Sequence, residues 1–320
     1  MLSFHQVVAE DFAAVNQRII EKLHSDVALV EDIGQHLIEA GGKRLRPLMT
    51  LLAARCLGYT GRQHLDLAVI IEFIHTATLL HDDVVDTSHL RRGQPTANAQ
   101  WGNAPSVLVG DFLYSRAFQM MVAIGDMDIM SVMSETTNRI AEGEVQQLVN
   151  AKNPAVSEAD YFHVIGKKTA ILFASACEVA AVLSGAEPAE REALRAYGQH
   201  LGMAFQLVDD ALDYSGSTET LGKNLGDDLA EGKPTLPLIV AMHKGSPAQA
   251  QQIANALRAG DKSQMMEVLR VVEATGAMNY TLSKARREIE LARQQLSLLP
   301  QNRYTQTMAA VAEFALTRHH

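Results

Sequence analysis

Apolar residues recur at three- and four-residue spacing along nearly the whole chain, in segments rich in Ala, Leu, Met, Glu and Gln. That rhythm predicts helices over residues 5–23, 27–39, 43–57, 64–86, 95–101, 105–124, 127–150, 157–184, 188–214, 235–243, 247–258, 262–274, 276–297 and 301–317. No alternating pattern lasts long enough to predict a strand. Breaks fall at Gly41-Gly42, Gly58, Gly61, Pro105, Gly125, Pro154, Gly185, Gly216, Gly222 and Pro234. No Pro/Ser-rich linker and no fixed repeat divides the chain. The prediction is an all-α fold in which residues 1–320 form a single domain around a common core. The most apolar run, LAVIIEFIHTATLLHDD, is interrupted by Glu72 and His75 and suits a buried helix better than a membrane span.

Two helices end oddly. LLHDDVVD carries Asp82, Asp83 and Asp86, and QLVDDALD carries Asp209, Asp210 and Asp213, each near the C-terminus of a long apolar helix. The helix dipole favours cations there, so the acids break a local rule twice in the same way. Residues four apart share a helix face, which lets Asp82 and Asp86 converge on one ligand, and likewise Asp209 and Asp213. Asp83 and Asp210 lie about 100° away and are weaker ligands by geometry. If the two helices face one another, each pair of carboxylates about 5 Å apart repels by roughly 3 kcal/mol at an effective dielectric near 20. Such a cluster holds protons or demands cations. An all-oxygen donor set favours Mg²⁺, which shares its shell with phosphate oxygens. Neither segment has the glycine and terminal glutamate of an EF-hand loop.

Bases follow the acids. Arg91 and Arg92 come directly after the first motif, and GGKRLRP places Lys43, Arg44 and Arg46 at a helix start. Arginine forks and helix N-termini both suit phosphate. His75 lies two turns before Asp82 on the same face. Lys167 and Lys168 in GKKTA and Lys223 and Lys233 in GKNLGDDLAEGKPT add further cations. The overall charge of -9 argues against nucleic acid as a partner. Charged residues make up 20% and Pro only 9 positions, which disfavours long disordered segments. Cys56 and Cys177 sit in apolar helical patterns without metal spacing, as buried reduced thiols of a cytoplasmic protein would. The N-terminus has Glu10 and Asp11 and no basic stretch, unlike a signal peptide.

GGKRLRP, HDDVVD with RRGQPT, GDFL, GKKTA, FQLVDDALD and KNLGDDLAEGKPTLP, in that order, resemble the trans-polyprenyl diphosphate synthases over nearly the whole chain. IEFIHTATLLHDDVVD and LVGDFLYSRAFQMM look most like the bacterial long-chain members that make quinone side chains. The resemblance implies an all-α bundle around a deep cavity, usually homodimeric. It implies that Asp82 and Asp86, with Asp83, bind Mg²⁺ and through it the allylic diphosphate, farnesyl diphosphate for example. Asp209, helped by Asp210 and Asp213, would bind a further Mg²⁺, two to three ions in all. Arg91 would contact the allylic diphosphate. Lys43, Arg46, His75 and Arg92 would hold isopentenyl diphosphate. Lys168, Thr169, Gln206, Lys223 and Lys233 would line the reacting centre. Gln94 departs from the family, where many relatives carry lysine.

The implied reaction is ionisation of the allylic C–O bond, attack by the double bond of isopentenyl diphosphate, and loss of a proton to the released diphosphate. No protein nucleophile is needed, and no Ser-His-Asp or Cys-His arrangement is found. Small residues at Ala77 and Thr78, where short-chain relatives carry a bulky aromatic, leave the channel open. Phe118, Met120 and Met121 are candidates for its floor. A C40 tail spans on the order of 40 Å, about the length of a 27-residue helix, so a tail beside helix 64–86 is plausible; C40 is chosen over C35 or C45 on resemblance. Two rival readings are weaker. A terpene cyclase would not need the isopentenyl diphosphate residues, and a noncatalytic regulatory subunit would typically lose aspartates that are all present here. The resemblance further implies transient membrane contact as an apolar product leaves. Arg318, His319 and His320 are read as a frayed tail, with closure over a diphosphate as the alternative.

Overall fold

A computed structural model describes residues 3–39, 42–91, 93–215 and 226–317. Apart from a two-residue hairpin they are helices joined by turns. The helices are α1 (Ala9–Leu23), α2 (Ala28–Glu39), α3 (Leu45–Cys56), α4 (Gln63–Val85), α5 (Ala97–Trp101), α6 (Asn103–Ile124), α7 (Met127–Asn150) and α8 (Glu158–Ile165). They continue with α9 (Ile171–Leu183), α10 (Pro188–Leu212), α11 (Asp227–Ala230), α12 (Leu236–Lys244), α13 (Pro247–Ala259), α14 (Met265–Ala274), α15 (Ala277–Leu296) and α16 (Arg303–Thr317). The all-α expectation holds.

Three local departures matter. Pro95, the expected start of the 95–101 helix, is not helical: β1 (Leu90–Arg91) pairs antiparallel with β2 (Gln94–Pro95), and this hairpin turns the chain back after the first acidic motif. The expected 157–184 helix is interrupted by a π-helical turn, Gly166–Ala170, the GKKTA motif itself. Such turns widen a helix locally and recur at functional sites. The short helix α11, preceded by Gly226 at φ 74°, lies in a stretch predicted as loop.

The chain packs as two compact units. The first comprises residues 1–137, 175–195 and 297–308. Its centre is α4, whose residues Leu67 to Ile71 are all fully buried, as expected of a helix apolar on every side. α6 packs along α4, and α1 and α3 flank it. Among the described residues α6 alone is long and apolar enough to cross a membrane, by length and composition only. The second unit comprises residues 138–174, 196–296 and 309–320. There α12 is the central element, packed by α8, α13, α14 and α15 around Leu236, Leu238, Ile253, Leu257, Val268 and Ala285.

Candidate active site

In the first unit, α4 carries the first acidic motif to its C-terminus. Asp86 caps the helix, and Thr87 adopts a left-handed φ of 51°. Ser88 N–H then donates to the Asp83 carbonyl at 2.9 Å and Thr87 N–H to the Val84 carbonyl at 3.3 Å. This double closure satisfies the last carbonyls. A β-branched residue in that conformation is strained, by about 1 kcal/mol. The motif's side chains divide. Asp82 and Asp86 are half-buried. Asp83 turns inward, buried, and accepts from Arg91 Nη2 at 2.7 Å and Nε at 3.0 Å. Arg91 reaches it because the hairpin folds β1 back over the helix end. Asn98 Nδ2 bonds the Asp83 and Ser88 carbonyls, both at 3.1 Å.

Two residues assigned from sequence to isopentenyl diphosphate meet directly: Arg46 Nη1 lies 3.1 Å from His75 Nε2. Lys43 is half-buried, and its carbonyl accepts from His5 Nε2 at 3.1 Å. Arg44 caps α3 with φ 43° and bonds Asn16. Arg92 and Lys223 lie outside the described residues, as do Arg318, His319 and His320. Ala77 is fully buried, and Thr78 donates its hydroxyl to the His75 carbonyl at 2.7 Å. Phe118 is half-buried against Tyr114, and Met120 and Met121 are buried on α6. These positions therefore stand on two helices that pack against each other.

In the second unit a cavity is lined by Lys168, Thr169, Gln206, Asp210, Asp228 and Lys233, among others. The π turn delivers the first two. It lies close against α7, where a Cβ on Gly143 would stand 2.9 Å from Lys167 Cβ and 3.0 Å from the Lys168 backbone nitrogen. Gly143→Ala is therefore expected to cost about 1–2 kcal/mol by overpacking, and to lower turnover about tenfold by shifting Lys168. Thermal melting and steady-state kinetics check the two effects. Lys168 Nζ pairs with Glu144 at 2.6 Å, Lys167 Nζ with Glu142 at 2.7 Å, and Lys233 with Glu231.

The second acidic motif also divides. Asp209 is half-buried. Asp213 accepts the backbone N–H groups of Asp227 at 3.1 Å and Asp228 at 3.2 Å, at the start of α11. Asp210 is buried and accepts from Tyr161 Oη at 2.5 Å and Gln206 Nε2 at 2.7 Å. Burial, aided by Asp228, pushes the Asp210 carboxyl up to about 8. Burial also pushes Asp213 up to about 7, against the two backbone bonds. Asp228 rises well above the ordinary carboxyl range through burial and the neighbouring Asp213. Asp228, Tyr161 and Glu144 were not singled out from sequence. The acidic pair after Gly226 was a signal for the first; nothing local marked the others.

Among the described residues no three or more His, Cys, Asp or Glu side chains are grouped as a cage for an ion. The half-buried pairs Asp82 with Asp86 and Asp209 with Asp213 offer oxygen donors only, the set that suits a hard divalent cation sharing its shell with water and phosphate. The buried carboxyls of Asp210 and Asp228 beside the second pair are crowded, so that burial and repulsion by neighbouring carboxylates disfavour their charged forms, which a nearby cation would favour.

Known proteins resemble the chain over nearly its whole length. The pattern of the polyprenyl synthetase family matches residues 27–275. The octaprenyl diphosphate synthase of Escherichia coli is 50% identical over 315 residues, 98% of each chain. The all-trans-nonaprenyl-diphosphate synthase (geranyl-diphosphate specific) of Rhodobacter capsulatus is 49% identical over 312 residues, 97% of this chain and 96% of that one. Among solved structures, a polyprenyl synthase from Caulobacter crescentus complexed with calcium and isoprenyl diphosphate superposes with a TM-score of 0.94 at 46% identity. The match covers 98% of this chain and 97% of that one. A divalent cation and an isoprenyl diphosphate thus accompany this fold in a near relative. With the shared pattern running from the start of α2 to the end of α14, and with both acidic motifs intact, the chain belongs to the polyprenyl synthetase family.

Proposed function

We propose that the chain is a trans-polyprenyl diphosphate synthase that extends farnesyl diphosphate with isopentenyl diphosphate to a C40, octaprenyl, product. The observation that carries the reading is the half-buried pair Asp82 and Asp86 at the C-terminal end of a long helix whose residues 67–71 are fully buried. A charged head held there leaves a hydrocarbon tail lying along Leu-, Ile- and Ala-rich surface.

Asp82 and Asp86, and Asp209 with Asp213, would hold two to three Mg²⁺ ions. When bound, these screen the diphosphate and stabilise charge on it as it leaves. Arg46, His75 and Lys43, with Arg92, would orient isopentenyl diphosphate so that its double bond faces the ionising carbon. Lys168 and Lys233, with Lys223 and Arg91, would grip the allylic diphosphate, Lys168 exchanging Glu144 for phosphate oxygen. Thr169 and Gln206 would face the reacting carbons. The released diphosphate takes the proton, so no protein base is assigned. Apolar walls keep water from quenching the cation as an alcohol. Ala77 and Thr78 would leave the tail room to pass, and Phe118, Met120 and Met121 would limit its length.

In this reading residues 1–320 act as one catalytic domain, homodimeric and cytoplasmic, supplying quinone side chains, with brief membrane contact as the product leaves. The relative from Rhodobacter capsulatus, equally similar and named for a C45 product, supports a second product length. The test is to incubate the purified chain with Mg²⁺, farnesyl diphosphate and labelled isopentenyl diphosphate and to size the dephosphorylated products. A ladder ending at C40 supports the proposal, and one ending at C45 keeps the reaction and replaces the length. No elongation, with metal present, removes the enzyme reading.

A further inference from the structure

Four side chains in the second unit form one hydrogen-bonded chain. Tyr161 Oη donates to Asp210 Oδ2 at 2.5 Å, Gln206 Nε2 donates to Asp210 Oδ1 at 2.7 Å, and Thr169 Oγ1 donates to Gln206 Oε1 at 2.9 Å. Asp210 and Tyr161 are only 3% and 4% exposed. An amide has one donor end and one acceptor end, and a hydroxyl has one proton. Once Asp210 takes the donor end of Gln206, the acceptor end must face Thr169 and claims its only proton. Thr169 lines the cavity, and what its oxygen has left to offer there is lone pairs.

We propose that Tyr161 is a positioning residue that, through Asp210, fixes the sense of the Gln206 amide and so makes Thr169 an acceptor on the cavity wall. This rests on the function proposed above and deepens it: the wall presents partial negative charge where positive charge develops on the allylic carbons. It also reassigns Asp210. Both its oxygens hold protein donors, and in this assignment it serves as the anchor of the chain. Without the tyrosine proton Asp210 is free to rotate, and either end of the Gln206 amide can then face Thr169.

The experiment is Tyr161→Phe in the full chain, which removes one atom and keeps the buried ring. Under the elongation assay, kcat is expected to fall about tenfold, with KM for both diphosphates and the Mg²⁺ concentration for half activity unchanged within about twofold. Combined with Thr169→Val, the substitution should lower kcat less than twofold beyond Thr169→Val alone, because both interrupt one chain. Wild-type turnover in Tyr161→Phe overturns the proposal. So does a severalfold rise in the Mg²⁺ requirement, which would make Asp210 a ligand, and so does full additivity in the double variant. If Tyr161→Phe does not fold, Gln206→Met cuts the same chain one link nearer. It must then show the same loss in kcat and the same non-additivity with Thr169→Val, and independent effects overturn the proposal. A wild-type chain that makes no elongated product removes the underlying reading, and this inference with it, before any variant is compared.

Discussion

Asp82→Asn is expected to lower kcat/KM about 10³-fold while leaving the melting temperature within about 2 °C, and Asp83→Asn to lower the melting temperature with a smaller loss of activity, through Arg91. The two residues are sequence neighbours of identical chemistry, yet the helix sends them to different places. Asp82 is half-buried, one turn from Asp86 on the same face. Replacing its charge removes a donor to the metal-bound head, and losing a single group that stabilises developing charge typically costs 10²–10³ or more. Asp83 is buried under Arg91, which donates twice to one of its oxygens. An amide there keeps the shape but loses the charge-assisted bonds, at about 2 kcal/mol, and frees the hairpin that carries Arg91. Steady-state kinetics together with thermal melting separates the two. If Asp83→Asn melts like wild type and loses activity like Asp82→Asn, the inner aspartate is the ligand and the assignment is reversed.

That contrast also marks what the sequence could and could not disclose. The DDxxD spacing was visible, and helical geometry already ranked Asp83 and Asp210 as the weaker ligands. Their actual partners were not visible, because these lie across a hairpin in one case and 49 residues away in the other. The helices of α4, α6, α7 and α10 were legible from long apolar periodicity. The π turn at Gly166–Ala170 was not, since five residues wound slightly wider leave the apolar spacing of a 28-residue helix unchanged to the eye. Its cause is tertiary: Gly143 on α7 gives the widened turn a surface to approach. The meeting of Arg46 with His75 was foreseen only as shared ligand chemistry, and the fold gives it a direct contact. Asp228 shows the limit most plainly. It stands in GDDLAEGKPT beside lysines that carry the stronger signal, yet after burial itself it is the next cause of the raised proton affinity of Asp210.

Asp11→Ala is expected to destabilise the first unit by about 3 kcal/mol, a fall of roughly 6 °C in melting temperature, without touching any residue assigned to substrate. Asp11, on α1, accepts from Arg55 Nε at 2.6 Å and Nη2 at 2.7 Å, and lies 3.2 Å from His64 Nε2. Arg55 is on α3 and His64 on α4, so one carboxylate ties three helices together at the end of α4 remote from the acidic motif. His64 is fully buried, and Arg55 spends its remaining reach on the Tyr59 carbonyl at 2.6 Å. Truncating the acid strands the guanidinium half-buried with no carboxylate, which is why removing one partner costs more than the pair is worth. Burial by itself would raise the Asp11 carboxyl, but the bonds from His64 and Arg55 outweigh it and hold the group well below the usual carboxylate range. The sign of the pH dependence follows. The unfolded carboxyl titrates near about 3.9, so the stabilisation is fully present above that pH and drains away as the pH falls toward the lower folded value. The gap in melting temperature between wild type and Asp11→Asn should therefore be constant from about pH 5 to 8 and close progressively below about pH 4. A gap that widens on acidification would mean that the carboxyl is not held low by its partners, and would remove the tie as the reason α1, α3 and α4 stay in register.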